Sequence, residues 1–90
     1  MITIELPEAL RSLADGHSRI EVEGDTVSQA LAALGEKHPQ ARMRIQTRGG
    51  ELRPHVNLFV RETDIRSAQG LSTTLEDGDT VLVVPSVAGG

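Results

Sequence analysis

The sequence contains no cysteine, and this absence removes several classes of chemistry at once. Such a chain has no disulfide bonds, no thiolate ligands for zinc or iron–sulfur clusters, and no cysteine nucleophile. Aromatic side chains are almost as scarce, because Phe59 is the only one among 90 residues. The core is therefore expected to consist of valine, leucine, isoleucine and alanine.

Long apolar runs and excess basic charge are also missing. No apolar run approaches the roughly 20 residues that span a bilayer, and the N-terminal residues lack the basic and apolar regions of a signal peptide. We therefore expect a cytoplasmic protein with no membrane partner. Thirteen acidic and nine basic residues give a formal net charge of −4, which argues against nucleic acid as a partner. Ninety residues predict one domain.

The first half of the chain predicts two strands and a helix. Apolar and polar residues alternate in segments 2–6 and 17–23, which is typical of half-buried strands. A short link between them predicts an antiparallel hairpin. Thr26 and Gln29 form a capping-box pattern ahead of an amphipathic segment, so we expect the main helix to end by His38, before Pro39. Segment 40–45 is expected to add only a short helical turn.

The second half predicts the remaining strands and completes the fold class. Segment 56–61 predicts a strand, followed by a turn at 62–64 and a return to extended structure at 65–66. Asp77-Gly78 is a tight-turn dipeptide, and the apolar run 81–84 is typical of a central strand. If that strand lies parallel to the first, the result is an α+β protein of β-grasp, or ubiquitin-like, class, with a mixed sheet packed on one main helix. We expect residues 1–84 to form this domain and residues 85–90 an extended tail.

Polar residues inside the predicted domain do not indicate an active site. His17, His38 and His55 are far apart in sequence, so we interpret them as surface histidines and predict no metal site. Gly49-Gly50 is not a phosphate loop, because the Lys and Ser/Thr of that motif do not follow. Neighbouring carboxylates are interpreted as turn residues that accept backbone N–H groups: Asp77 with Asp79, and Glu62 with Asp64. We predict no catalytic residue and no enzyme activity.

Four arginines, at positions 42, 44, 48 and 53, surround Gly49-Gly50. One interpretation is a docking face for an acidic partner, and the other is a solvated loop. The sequence leaves both open.

The last six residues, Pro-Ser-Val-Ala-Gly-Gly at 85–90, differ from the rest of the chain. No side chain from Thr80 onward carries a charge, so the α-carboxylate of Gly90 is the only ionised group there. Six extended residues reach about 20 Å, and a neutral tail enters a dry channel without desolvating a charged side chain. Pro85 fixes φ and helps the chain leave the sheet in one direction. We interpret Gly90 as the reacting group, against the alternative of a frayed end.

The last third of the chain carries the motifs Asp64-Ile-Arg66, Gly70-Leu71, Asp77-Gly-Asp79 and Pro85-Ser-Val-Ala-Gly-Gly90. These motifs resemble the ThiS/MoaD family of ubiquitin-like sulfur carriers, especially the MoaD-like and CysO-like members that end in Val-Ala-Gly-Gly. The resemblance implies that an E1-like adenylating enzyme of the MoeB/ThiF type uses ATP to activate Gly90, which then becomes a thiocarboxylate. It implies no cofactor bound to the chain itself.

The resemblance also implies roles for residues around Gly90. Val87, Ala88 and Gly89 would be threaded into the partner enzyme. Family members often have Asn where this chain has Arg61, and many have Ala where it has Ser86, so the partner's identity depends on these positions. The candidate docking residues are Arg61, Arg48, Arg53 and Phe59.

The destination of the sulfur has several alternatives. We favour cysteine biosynthesis, in which a PLP-dependent cysteine synthase accepts sulfur from a CysO-like carrier. The alternative is a MoaD-like small subunit that supplies the large subunit of molybdopterin synthase; thiamin carriers are usually shorter. Two rival classes remain: a ubiquitin-like modifier of proteins, for which the single lysine, Lys37, gives little scope for chains, and a β-grasp binding module with a non-functional tail.

Overall fold

A computed structural model describes residues 1–85 of the chain. The predicted tail beyond Pro85, with the predicted site residues Val87, Ala88, Gly89 and Gly90, lies outside the described residues. None of the described helices is long and apolar enough to cross a membrane.

Eight regular elements follow one another along the described chain. They are β1 (Ile2–Glu5), α1 (Glu8–Arg11), β2 (Arg19–Val22), α2 (Val27–Lys37), α3 (Pro39–Ile45), β3 (Val56–Val60), β4 (Thr63–Asp64) and β5 (Thr80–Pro85). Three single turns of 3-10 helix accompany them, at Ser12–Ala14, Ile65–Ser67 and Gly70–Ser72.

The strands form one mixed sheet in the order β2-β1-β5-β3-β4. β5 is central, with β1 parallel on one side and β3 antiparallel on the other, and the β1–β2 hairpin is antiparallel. The predicted β-grasp arrangement is confirmed. Because the last strand runs through the middle of the sheet, the tail begins at the centre of one sheet end.

The predicted capping residues define the start of the main helix, α2. The backbone N–H of Gln29 donates to Thr26 Oγ1 at 3.2 Å, and the Gln29 side chain accepts from the N–H of Asp25 at 2.7 Å. The reciprocal bond thus reaches one residue further back than in the usual capping box. Four apolar side chains on one stripe of the helix are fully buried: Val27, Ala30, Leu31 and Leu34.

The core is aliphatic, as predicted from composition. Every member of the buried cluster is isoleucine, leucine, valine or alanine. Phe59 is half-buried and is not part of this cluster. The sole aromatic side chain of the protein therefore lies elsewhere than in its core.

Two local predictions were wrong, and both errors concern irregular turns. Ile65 and Arg66 are not extended, because Asp64 Oδ1 accepts the N–H of Arg66 at 2.9 Å and starts a 3-10 turn. The reversal after β3 is made by Arg61 and Glu62, with φ of 50° and 68°, so that residues 63 and 64 already pair back as β4. Such two-residue turns usually contain Asn or Gly, and neither residue is present here.

Segment 40–45 forms more helix than predicted. α3 runs from Pro39 to Ile45, with Pro39 in its first turn. Proline suits this position because its fixed φ matches a helix and its missing N–H would have no partner there. A residue interpreted only as the end of one helix therefore also begins the next.

Candidate interaction site at the end of the central strand

Strand β5 is apolar on both faces, but only one face is covered. Val81 and Val83 point into the core and are 0% and 2% exposed. Leu82 and Val84 lie on the opposite face, where Leu82 is 38% exposed and Val84 is half-buried. We call that side of the sheet the open face.

Phe59 extends the apolar surface of the open face onto β3. It is directly opposite Leu82 in the β3–β5 ladder, while Asn57 is opposite Val84. Phe59, Leu82 and Val84, which we call the open-face strip, line a shallow groove together with Glu5, Arg61, Glu62 and Thr80. Open faces of antiparallel sheets are usually polar, so the apolar strip makes this face a candidate docking surface.

The open-face strip leads directly to the origin of the tail. β5 extends to Pro85, one residue beyond the predicted end of the strand, and Pro85 pairs with Val56 at the start of β3. The five residues that follow can reach about 17 Å when extended. The open-face strip and the residue from which the tail begins therefore lie on the same strand.

Arg61, a predicted docking residue, lies at the other end of the strip. Its guanidinium forms an ion pair with Asp79 and donates to the Thr74 carbonyl at 3.4 Å. The Asp79 side chain is only 12% exposed, whereas that of Arg61 is 48% exposed. Arg61 therefore fastens the β3–β4 turn to the loop before β5, while part of its side chain lines the groove.

Arg53 lies just before β3, and Arg48 lies in the loop that follows α3. Arg53 Nε donates to the Met43 carbonyl at 2.6 Å, and the Arg53 carbonyl accepts the N–H of Val56 at 3.1 Å. Arg48 is exposed in a turn closed by a bond from Gly50 N–H to the Thr47 carbonyl. The structure thus separates Arg61 from the other two predicted arginines by the length of β3.

Arg66 lies at the tail end of the sheet, although it was predicted only as part of a motif. Its Nη1 donates to Asn57 Oδ1 at 2.7 Å, and its Nη2 donates to the Arg53 carbonyl at 3.0 Å. Because Asn57 is the partner of Val84, the Arg66 guanidinium lies beside the last residue pairs of the β3–β5 ladder. Only the position of Arg66 in the Asp-Ile-Arg motif marked it in the sequence.

Two of the four carboxylates interpreted as turn residues, Asp64 and Asp79, accept backbone N–H groups in the structure. Asp79 Oδ2 accepts the N–H of Glu76 at 2.8 Å, and Gly78 between the two aspartates has φ of 91°. Asp77 forms an ion pair with the amino group of Met1. Their hydrogen bond lowers the pKa of Asp77 and raises that of the amino group. Within residues 1–85, no group of three or more histidine or carboxylate side chains could hold a metal ion.

Comparison with known proteins gives concordant results. The model of the ThiS family matches residues 4–90. The sulfur carrier protein CysO of Mycobacterium tuberculosis is 32% identical over 91 residues, which cover 99% of this chain and 98% of that protein. A putative sulfur carrier protein of Archaeoglobus fulgidus is 38% identical over 89 residues, with the same coverage. A chain in the crystal structure of the BexX/CysO complex of Amycolatopsis orientalis superposes with a TM-score of 0.91 at 30% identity, covering 100% of both chains.

Proposed function

This chain belongs to the ThiS family, and we propose that it is a sulfur carrier whose Gly90 carboxylate is activated and converted to a thiocarboxylate. The observation that carries the proposal is the extent of the family match, which runs to residue 90 and so includes the diglycine end. The near-complete alignment with proteins described as sulfur carriers supports it. The earlier resemblance to ubiquitin-like sulfur carriers is confirmed at the level of the family.

The proposed chemistry takes place on the tail and is performed by another protein. An E1-like enzyme binds ATP, and a Gly90 carboxylate oxygen attacks the α-phosphorus while pyrophosphate leaves. A sulfur donor at the oxidation level of sulfide then attacks the carbonyl carbon of the acyl-adenylate, so that a C–S bond forms while the C–O bond to AMP breaks and AMP leaves. A free carboxylate is a poor acyl donor, so adenylation supplies the leaving group. In this scheme the chain itself needs no bound cofactor, and the reaction belongs in the cytoplasm, where ATP is available.

The chain's own residues bind the activating enzyme and position the origin of the tail. The open-face strip provides apolar area for the enzyme, with its most exposed member, Leu82, near the middle of the sheet. Burial of such area contributes roughly 25 cal/mol per Å². The ladder between Pro85 and Val56 holds the origin of the tail at the end of this strip. The enzyme therefore needs to recognise only one face to receive Gly90.

We propose cysteine biosynthesis as the destination of the sulfur, with a PLP-dependent cysteine synthase as the accepting enzyme. The similarity to CysO along nearly the whole of both chains supports this choice. Transfer to the large subunit of a molybdopterin synthase is the alternative destination. The two differ in the acceptor, and both require the same thiocarboxylate at Gly90.

The proposal is tested by the intact mass of the protein purified from its native cell under conditions that preserve thioacids. We expect a fraction heavier by one oxygen-to-sulfur exchange, localised to Gly90 by fragmentation. In a matched assay, the wild-type chain should support ATP–pyrophosphate exchange by the activating enzyme, and a variant with one alanine added after Gly90 should not.

Two results would contradict this function. Continued exchange with the extended variant would rule out a free Gly90 carboxylate as the group adenylated. Recovery only of branched peptides that bear Gly-Gly on lysine would instead assign the chain to the ubiquitin-like modifiers.

A further inference from the structure

Two arginines border the point where the tail leaves the sheet. Arg53 lies three residues before Val56 and is joined to it by a backbone hydrogen bond. Arg66 is joined to Asn57, so both arginines are tied to the two β3 residues that pair with the end of β5. We call Arg53 and Arg66 the exit arginines.

Neutral oxygen atoms hold the exit arginines in place. Arg53 Nε donates to a backbone carbonyl, and Arg66 donates to one side-chain amide and one backbone carbonyl. Among residues 1–85, the side-chain ion pairs within 4.0 Å that involve arginine are those of Arg19 and Arg61. The exit arginines are therefore positioned by the fold, and within residues 1–85 neither forms an ion pair within 4.0 Å.

The two ends of β5 differ in the charged side chains near them. Between residues 40 and 57 there are four arginines, Arg53 among them, and one glutamate; Arg66 lies outside this segment, two residues after Asp64. At the start of β1, the carboxylates of Glu23 and Asp77 form ion pairs with the amino group of Met1. At the start of β5, the carboxylate of Asp79 forms an ion pair with Arg61. In a protein of net charge −4, Arg53 therefore belongs to a basic segment, and Arg66 adds a second positive charge beside the end of β5.

This arrangement orients the chain in an electric field. A partner with negative charge around its channel would repel the acidic end of the sheet and attract the basic end. The chain would then approach with its tail foremost, which is the only productive direction for a reaction at Gly90. Fields of this kind raise association rates by about 10- to 1000-fold and weaken with ionic strength.

We infer that the exit arginines dock on an acidic rim around the channel through which the activating enzyme takes the tail. This inference depends on the proposed function. Five residues can reach about 17 Å when fully extended, which would let Gly90 reach the nucleotide while the exit arginines stay at the mouth of the channel. They act on association, and the adenylation step itself does not involve them.

The test is ATP–pyrophosphate exchange with the native activating enzyme, measured as KM for the carrier and kcat over a range of salt concentrations. We expect the double variant Arg53→Gln/Arg66→Gln to raise KM about tenfold at low salt with kcat unchanged, and to lose most of the salt dependence of kcat/KM. The matched control is Lys37→Gln, which removes one positive charge near β2, where Lys37 Nζ donates to the Glu21 carbonyl. This control should leave KM within about twofold of wild type.

A second variant separates charge from structure. Arg66→Lys keeps the charge but loses the forked hydrogen bonds, so its KM should stay close to that of wild type. If Arg66→Lys raises KM as much as Arg66→Gln does, the residue acts through local structure, and the inference fails.

The remaining outcomes are also decisive. If wild type supports exchange and the double variant shows the same KM and the same salt dependence, the acidic rim is ruled out while the sulfur-carrier function stands. If the double variant keeps its KM but loses binding to a short single-stranded RNA, the basic surface belongs to a nucleic acid, and the inference is overturned. If wild type supports no exchange at all, the proposed function fails and the inference with it.

Discussion

The two faces of β5 carry the same kind of side chain and have different roles. Val81 and Val83 are buried beneath the helices, whereas Leu82 is more than one-third exposed and Val84 is half-buried. Hydrophobicity alone therefore does not distinguish a residue that is buried in the core from one that stays uncovered on the open face. What separates them is whether the chain has a second layer to cover that face, and the described helices leave the open-face strip uncovered.

The position of β5 makes this division possible. Because the strand is bonded to β1 and β3 on its two sides, its backbone hydrogen bonds are satisfied whatever side chains stand on the open face. Side chains there can vary with the partner without loss of the sheet. The face toward the helices has no such freedom, because close-packed interiors respond to changes of even one methylene group.

The largest expected effect comes from comparing an aspartate substitution on the buried face of β5 with one on its open face. Val83→Asp would bury an unpaired charge, and the penalty of several kcal/mol is comparable with the whole stability of a small domain. We expect this variant to be unfolded at room temperature by circular dichroism. Leu82→Asp should fold with a melting temperature within a few degrees of wild type, but it should lose most of its activity in ATP–pyrophosphate exchange. A folded Val83→Asp protein, or an unfolded Leu82→Asp protein, would remove the distinction between the faces.

A smaller effect is expected from alanine at two successive residues of β3. Leu58 is fully buried, and Leu58→Ala should lower the free energy of unfolding by about 2–5 kcal/mol in urea titrations. Phe59→Ala should lower it by only about 1 kcal/mol but raise KM for exchange about tenfold, since aromatic anchors often dominate interfaces. If Phe59→Ala instead destabilised as much as Leu58→Ala with KM unchanged, Phe59 would belong to the core and not to the docking surface.

The sequence was sufficient for the elements whose signals are local. Alternation predicted β1 and β2, and the pair Thr26 and Gln29 predicted the start of α2, because strand and capping patterns depend on neighbouring residues. The turn after β3 was predicted at 62–64, whereas the structure makes it at Arg61 and Glu62. Its left-handed backbone has no glycine to mark it, and the ion pair between Arg61 and Asp79 joins residues 18 positions apart.

The candidate site was only partly predictable for the same reason. The motif identified Gly90, and the scarcity of aromatics drew attention to Phe59, whose docking role stays a prediction. Leu82 and Val84 were interpreted only as parts of a central strand, since a continuous apolar run does not say which face lacks a helix. Arg66 donates a hydrogen bond to Asn57 from the 3-10 turn at Ile65–Ser67, a segment for which extended structure was predicted.

The smallest expected effect comes from removing the ion pair between Asp77 and the Met1 amino group, which lies at the end of the sheet and on neither of its faces. The hydrogen bond between Asp77 and the Met1 amino group holds the pKa of Asp77 below its ordinary value of 3.8 and the pKa of the amino group above its ordinary value of 8.0. A carboxylate with a lowered pKa stabilises the fold above its unfolded-state pKa and loses this contribution as the pH falls through the folded value. An amine with a raised pKa stabilises the fold below its unfolded-state pKa and loses this contribution as the pH rises through the folded value.

Asp77→Asn should therefore lower the urea midpoint slightly near neutral pH, and the difference from wild type should vanish both at acidic pH and at strongly alkaline pH. Glu76→Gln, which removes a neighbouring carboxylate outside this pair, is the control and should show no such bell-shaped difference. Because both partners are exposed to solvent, salt should weaken the effect. A difference that persisted unchanged into acid would mean that Asn disturbs the Asp77-Gly78 turn and that the ion pair contributes nothing. The apolar burial on the helix side of β5 would then account for the stability of this end of the sheet without help from its surface charges.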